Sequence, residues 1–392
     1  MGFQLQPVAI TAQQRKKAEK AGVSIASMAE ADRYFGGPPL NSIALEYLLC
    51  SNVLLLSRLY HIFGEEKNGK STLAVDWMKR FFLDLGGDAL LVETENKLNV
   101  PLFRRMLQGD YDKMQQARTT ALEPAQTAMT AFAKSIKANT LKKRAVMGCV
   151  DVDSVRVLSE GTVEATEAQG SATRNYAIEA ALWRTYLGTF MNLIQDMPVA
   201  LIMVNHAREE AIEGTAAKQL GCGGGKAIKY YESYRILVKT IKRIDQVKSS
   251  RSVLQLVTKS NTNGPCNRKI FPEIVYRDVT ADVPEAVYID WSAADAELLI
   301  SDRIQTTALK NEEVCAVRAC TEKGLYTDEI LGLKKVPIEE IVAALYADEA
   351  RLAKFREIHQ IARYKTLDEL YDAGWFFDSG KLTATEGDDD EA

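Results

Sequence analysis

Gly64-Glu65-Glu66-Lys67-Asn68-Gly69-Lys70-Ser71-Thr72 joins an apolar segment to an amphipathic one. It matches the pattern G-x-x-x-x-G-K-[ST]. The glycines let successive backbone N–H groups curl around an anion. A helix that starts at the end of the loop aims its N-terminus at the same charge. Working outward, Leu59 to Phe63 reads as a short apolar strand in front of the loop. Behind it, Ala74, Trp77, Met78, Phe81, Phe82 and Leu85 fall on one face of a helix, which Gly86-Gly87 stops. Strand, loop and helix together predict a phosphate-binding loop. Its expected ligand is ATP with Mg²⁺. Lys70 is placed to reach the β- and γ-phosphates and Ser71 to ligate the cation.

Two strand ends supply candidate carboxylates. Ala145 to Val152 reads as a buried strand ending at Asp153, where a carboxylate can hold Mg²⁺ through water. Asp151 would point to the same side of that strand and is its rival; Ser154, which follows at the strand's end, favours Asp153. Ala89 to Val92 reads as another strand, with Glu95 just past it where it can orient an attacking water. Glu93, two residues upstream, is the competitor.

The rest of the chain carries an α/β pattern. Thr11-Ala12-Gln13-Gln14 resembles a capping box opening a basic helix, Val23 to Met28 a short strand, and Gly36-Gly37-Pro38-Pro39 a breaker. Residues 104–143 read as helical and polar, with no strand signal. Residues 174–196 predict a long helix with Trp183, Leu187, Phe190 and Ile194 as its stripe. Val199 to Val204 is a buried strand ending at Asn205-His206, and the small, Gly-rich residues 207–225 read as a mobile loop. β-rich segments follow near 234–242, 252–259 and 269–276, and a helical region from about 300 to 376, broken at Lys334-Lys335-Val336-Pro337. Strands separated by helices, then consecutive strands, predict a mainly parallel sheet extended by antiparallel edges.

Composition sets further bounds. The chain has 392 residues and a net charge of −4. The run Glu386-Gly387-Asp388-Asp389-Asp390-Glu391 carries five acids, so the remainder is at +1. Between Lys226 and Lys269 eleven Lys/Arg stand against Glu232 and Asp245. A basic stretch followed by an acidic tail suggests a polyanionic partner and a competitor for it. Cys50, Cys149, Cys222, Cys266, Cys315 and Cys320 form no CxxC pair or Cys/His cluster, so the chemistry of a zinc finger or disulfide framework is not indicated. No apolar run approaches a membrane span and no secretory pattern opens the chain. The expected setting is cytoplasmic, with reduced thiols.

These pieces occur in the order of the RecA-like recombinases, including the phage UvsX type. Leu91-Val92-Glu93-Thr94-Glu95 resembles the strand ending at that family's catalytic Glu, and Val152-Asp153-Ser154-Val155 its Mg²⁺-binding strand end. Met203-Val204-Asn205-His206 resembles the strand whose last polar residue senses the γ-phosphate; UvsX-type proteins carry His there and bacterial RecA carries Gln. Gly224-Gly225-Lys226-Ala227-Ile228-Lys229-Tyr230-Tyr231 is similar to the Gly-Gly-x-Ala-x-Lys-aromatic run after the second DNA loop. Val257-Thr258-Lys259-Ser260-Asn261-Thr262 resembles the turn that presents a Lys to a neighbouring subunit's ATP, although Asn261 stands where bacterial RecA has a second Lys. The resemblance covers roughly residues 40–290.

The resemblance implies a RecA-like ATPase core over residues 36–295, an oligomerisation leader over 1–35, a small helical domain over 296–380 and an acidic disordered tail over 381–392. It implies a DNA-dependent ATPase that forms a helical filament on single-stranded DNA, pairs it with homologous duplex, and works with a mediator or single-strand-binding protein. Lys70, Ser71, Asp153 and Glu95 would come from one subunit and Lys259 from the next. His206 would relay the state of the nucleotide, and Phe103 would stack on adenine. DNA would meet loops near residues 159–176 and 207–226. Arg174, Arg208 and Lys226 would contact phosphates, Tyr176 and Ile212 would wedge between bases, and Gly224 and Gly225 would belong to the same DNA-binding set. Two other readings share the core: a replicative helicase motor, which would normally bring a large N-terminal collar, and a regulatory ATP-binding filament without strand exchange.

Overall fold

The computed structural model describes residues 16, 36–141, 147–155, 158, 172–195, 197–211, 218–222, 225–246, 249–261, 267–277, 286–300, 317–321, 324–329 and 331–372. The leader helix and strand expected before residue 36, most of the first DNA loop, Ile212, Gly224 and the acidic tail lie outside the described residues. The chain divides into two compact units, Met1–Phe35 and Gly36–Ala392, and the second unit contains every element from β1 onward.

In chain order the elements are β1 (Gly36–Gly37), α1 (Ile43–Leu49), β2 (Leu59–Gly64), α2 (Lys70–Phe81), β3 (Asp88–Glu93), α3 (Val100–Leu107), β4 (Met114–Arg118), α4 (Leu122–Leu141), β5 (Gly148–Asp153), α5 (Ala172–Ile194), β6 (Val199–Ala211), β7 (Lys218–Cys222), α6 (Gly225–Tyr231), β8 (Glu232–Gln246), β9 (Ser249–Asn261), β10 (Lys269–Ile270), β11 (Glu273–Arg277), β12 (Ala286–Asp290), α7 (Trp291–Ile300), β13 (Val317–Ala319), β14 (Tyr326–Asp328), β15 (Leu333–Val336), α8 (Ile338–Ala347), α9 (Glu349–Ile358), β16 (Lys365–Thr366) and α10 (Leu367–Asp372).

The main sheet runs β12-β11-β9-β8-β2-β6-β5-β3-β4. Its pairs from β8 to β4 are parallel, and the pairs β8–β9, β9–β11 and β11–β12 are antiparallel. This is the α/β architecture expected from the sequence, a mainly parallel RecA-like sheet with antiparallel strands added at one edge.

Alternation along the strands sends successive side chains to opposite faces. Leu59, Leu90, Val92, Val150, Val152, Leu201 and Met203 join the apolar stripes of α4 and α5, including Trp183, Leu187, Phe190 and Ile194, in one buried cluster. Tyr60 faces the other way. Its ring stacks on Tyr234 at 5.0 Å and meets Trp77 of α2 edge-on at 5.7 Å. The residues between those apolar positions, Leu91, Glu93, Asp151 and Asp153, therefore face α2 and the phosphate loop.

Four expectations are corrected. Residues 104–143 are not wholly helical, because β4 adds a parallel strand to the sheet edge. Its residues Met-Gln-Gln-Ala-Arg are half-buried or exposed, so no apolar alternation marks it. Residues 207–225 are not simply a loop. β6 continues to Ala211 and pairs antiparallel with β7, from Ala207↔Cys222 to Ala211↔Lys218. The region from 300 to 376 contains a three-stranded antiparallel sheet, β13-β14-β15, ahead of its helices. Leu85, expected on the buried face after the phosphate loop, is 49% exposed, because the helix ends at Phe81 and the 3₁₀ turn Leu83–Leu85 keeps Leu83 buried while turning Leu85 outward. Among the described residues no helix is long and apolar enough to cross a membrane.

Candidate nucleotide site

β2 delivers the chain to the phosphate loop and α2 takes it away. Gly69, with φ +82°, precedes the first helical residue, and no side chain caps the helix there. The first-turn N–H groups of α2 are thus left for an external acceptor. A Cβ at Gly64 would sit 2.3 Å from the Val238 carbonyl oxygen, and one at Gly69 would sit 2.7 Å from the Ile274 side chain. Both positions need glycine for the loop to hold this course.

A cavity of about 680 Å³ opens beside the loop. Glu66, Lys67, Asn68, Gly69, Lys70, Ser71 and Thr72 line it, together with Glu95, Asp153, His206 and Phe103. Residues expected from four separate motifs thus converge on one space. Gly64 and Glu65 lie at the loop's start and are not among the lining residues. Lys70 is buried, its Nζ donating to the Glu65 carbonyl at 2.7 Å. Burial lowers the Lys70 pKa, opposed by Asp153, Glu95, Glu66 and Glu65.

Asp153 faces Ser71, whose hydroxyl hydrogen-bonds its carboxylate. Burial raises the Asp153 pKa against that bond and the Lys70 charge. Asp151, its rival, is fully buried and does not reach the cavity. Neither of its oxygens has a hydrogen-bond partner among the described residues. Burial, then the neighbouring Asp153, push its pKa well up.

Glu95 is the centre of a small polar unit. Its Oε1 accepts from Ser154 Oγ at 2.6 Å and from His206 Nε2 at 2.9 Å. Lys97 Nζ stands 3.8 Å from Oε2. The His206 hydrogen bond and then Ser154 outweigh desolvation and hold its pKa down to about 2. Glu93 also lines the cavity. Its Oε1 accepts from the Lys97 backbone N–H at 3.0 Å, and its Oε2 is buried with no partner among the described residues.

Residues that no motif marked also line the cavity: Thr240 and Arg243 of β8, Ser252 of β9, and Ile274 and Tyr276 of β11. Thr240 and Arg243 are three apart, and strict alternation would place them on opposite faces. A register shift between Thr240 and Lys242 reconciles the two, as a bulge re-aims side chains. Nothing local in the sequence marks that bulge. Asn99 and Leu102 also border the cavity, where the Asn99 side chain caps α3 by accepting from Leu102 N–H at 3.1 Å. Phe103 is buried there, beside the half-buried Leu102.

Other expected residues lie apart. Lys259 is on β9. Arg174 and Tyr176 fall within α5 rather than a loop, Arg208 falls on β6, and Gly225 and Lys226 open α6.

These residues fit a nucleoside triphosphate carrying a divalent cation. The volume falls within the range of small-ligand sites, and a buried Lys and uncapped helix N–H groups supply positive potential. Among the described residues, no cluster of three or more His, Cys, Asp or Glu could hold a metal. Ser71 and Asp153 would supply two oxygen ligands to such a cation, the hard donors that Mg²⁺ takes alongside water and phosphate oxygens.

A family model described as the RecA N-terminal domain matches residues 19–279. Protein RecA of Fusobacterium nucleatum is 26% identical over 253 residues, covering 64% of this chain and 62% of that protein. Protein RecA of Chlorobaculum parvum is 28% identical over 219 residues, covering 56% and 58%. Protein RecA of Mycoplasma mobile is 24% identical over 249 residues, covering 63% and 70%. The match thus spans about three fifths of the length of most of these relatives. With a G-x-x-x-x-G-K-S loop, two acidic strand ends and a strand-end histidine gathered on one mainly parallel sheet, and a family model matching most of its length, the chain belongs to the RecA-like recombinase family.

Proposed function

We propose that this protein is an ATP-dependent DNA strand-exchange protein that assembles as a filament on single-stranded DNA, with ATP held between neighbouring copies. The observation that supports this best is the Ser154–Glu95–His206 unit. It joins a carboxylate able to activate water to an imidazole at the point where β6 leaves the main sheet for its ladder with β7.

Bound at the loop, ATP with Mg²⁺ supplies the phosphoanhydride that is cleaved. The chain's own residues do the rest. Lys70 and the first-turn N–H groups of α2 neutralise phosphate charge, while Ser71 and Asp153 hold the cation. Glu95 takes the proton of an attacking water. While His206 and Ser154 both donate to Oε1, that oxygen has little basicity for water. A phosphate oxygen that draws the imidazole away would return it. The same movement would pull on the start of the β6–β7 ladder, where Arg208, Ile212 and, beyond it, Lys226 would face DNA. Tyr176 and Arg174 would supply the other contact. Lys259 of a neighbouring copy would complete charge neutralisation, so that ATP joins subunits and hydrolysis loosens them.

A strand-exchange assay with circular single-stranded DNA and homologous linear duplex, run with and without ATP, tests the proposal. Joint molecules that form only with ATP are expected. Unwinding without homologous pairing would point instead to a helicase motor. ATP-dependent polymers with neither activity would leave a regulatory filament.

A further inference from the structure

Opposite the nucleotide face, a chain of buried polar groups crosses three strands. The His206 backbone N–H is a fixed donor, and Asn205 Oδ1 accepts from it at 2.9 Å. The amide of Asn205 therefore turns Nδ2 toward His61 Nε2, at 3.4 Å. That nitrogen can only accept, so the His61 proton sits on Nδ1 and is donated to Glu232 Oε2 at 2.7 Å. The second oxygen of Glu232 is paired with Arg235. Burial acts against the Glu232 carboxylate, and the hydrogen bonds from His61 and Arg235 overcome it, leaving its pKa lowered.

The topology gives this chain a meaning. Asn205 immediately precedes His206, where the excursion of residues 207–231 leaves the main sheet. Glu232 is the first residue of β8, where that excursion returns after α6. Both ends of the excursion are thus tied to one imidazole. His61 lies on β2, three residues ahead of the phosphate loop, and His61 and Asn205 are fully buried. Leu59 and Met203, two residues ahead of His61 and Asn205 on the same strands, belong to a buried apolar cluster, and the Phe63 ring lies 5.8 Å from that of His61. An apolar residue would cost less there than a desolvated imidazole and carboxylate.

We propose that His61 is a positioning residue that couples the nucleotide site to the DNA-facing segment by holding both ends of residues 207–231 to the strand that carries the phosphate loop. A shift at His206 changes what Asn205 can accept, and His61 passes the change to Glu232 and the end of α6. The inference rests on the reading of residues 207–226 as DNA-facing. Coupling between two ligands is reciprocal, and its size is the quantity His61 should control.

The test is the affinity for a slowly hydrolysed ATP analogue, measured on the full chain with and without single-stranded DNA. His61→Phe keeps a ring but loses both hydrogen bonds. It should bind the analogue alone about as tightly as the unmodified protein, while the tightening produced by DNA falls about fivefold or more. His61→Gln, which again offers one donor and one acceptor, should restore most of that tightening. Should His61→Phe fail to fold, Asn205→Leu cuts the chain one link away and must show the same loss. Unchanged coupling in the variant that cuts the chain, or a Gln variant no better than Phe, overturns the proposal. If the unmodified protein shows no coupling, the DNA-facing reading itself fails.

Discussion

Glu95 carries two donors on one oxygen, and that crowding sets what it can do. Its pKa of about 2 keeps it ionised across the working pH range. The carboxylate is therefore always available, and access to its lone pair is what the site controls. Glu95→Gln should keep nucleotide affinity and lose turnover by about 10²–10⁴-fold, the usual worth of a general base. Glu93→Gln serves as the control, measured in the same assay of hydrolysis and analogue binding. Loss in Glu93→Gln with survival of Glu95→Gln would reverse the assignment. The sequence showed both acids but could not rank them, since they lie two residues apart at one strand end. The proposal favours Glu95 for its contacts with Ser154 and His206, residues distant in sequence that meet only once β3, β5 and β6 lie side by side.

Elements hold these residues in place through a few buried groups. The Asp295 carboxylate of α7 accepts from Ser42 Oγ at 2.7 Å and from the Ala44 N–H at 2.9 Å at the start of α1. Burial pushes its pKa up to about 7, against those hydrogen bonds. The folded protein therefore keeps a proton that the unfolded chain releases near pH 4. This group's contribution is largest at low pH and is lost as pH rises from about 4 to 7, at up to about 1.4 kcal/mol per pH unit. Asp295→Asn should flatten that part of the stability curve, as read by denaturant unfolding at a series of pH values. An unchanged slope would contradict the assignment. β2, α2, β3, β5 and α5 were legible because each carries its own apolar period. β4 was not, because a polar edge strand has no buried face to pattern. The short strands of β13-β14-β15 and the bulge that brings Arg243 into the cavity were hidden because tertiary pairing makes them.

At the scale of the whole molecule, the C-terminal helices are anchored to the core. Arg356 of α9 forms a two-pronged pair with the buried Glu46 of α1, both contacts at 2.8 Å, and Tyr346 donates to the same carboxylate at 3.1 Å. Arg268 lies over the Tyr47 ring and donates to the carbonyls of Tyr47 and His359. β16 pairs in parallel with β1. The acidic run after Thr385 is the expected competitor of DNA phosphates for basic surface. Truncation at Thr385 should tighten binding to duplex DNA at low salt, with the difference fading as the Debye length shrinks to about 10 Å near 0.1 M. Titration of labelled duplex at two salt concentrations checks this, and equal affinities at low salt would contradict it. The claim on which everything else depends is that one cavity both hydrolyses ATP and responds to DNA. Steady-state ATP hydrolysis by the full chain, with and without single-stranded DNA, measures it most directly. Turnover should rise when DNA is added and be abolished by Lys70→Ala; turnover indifferent to DNA, or surviving in Lys70→Ala, would contradict the assignment.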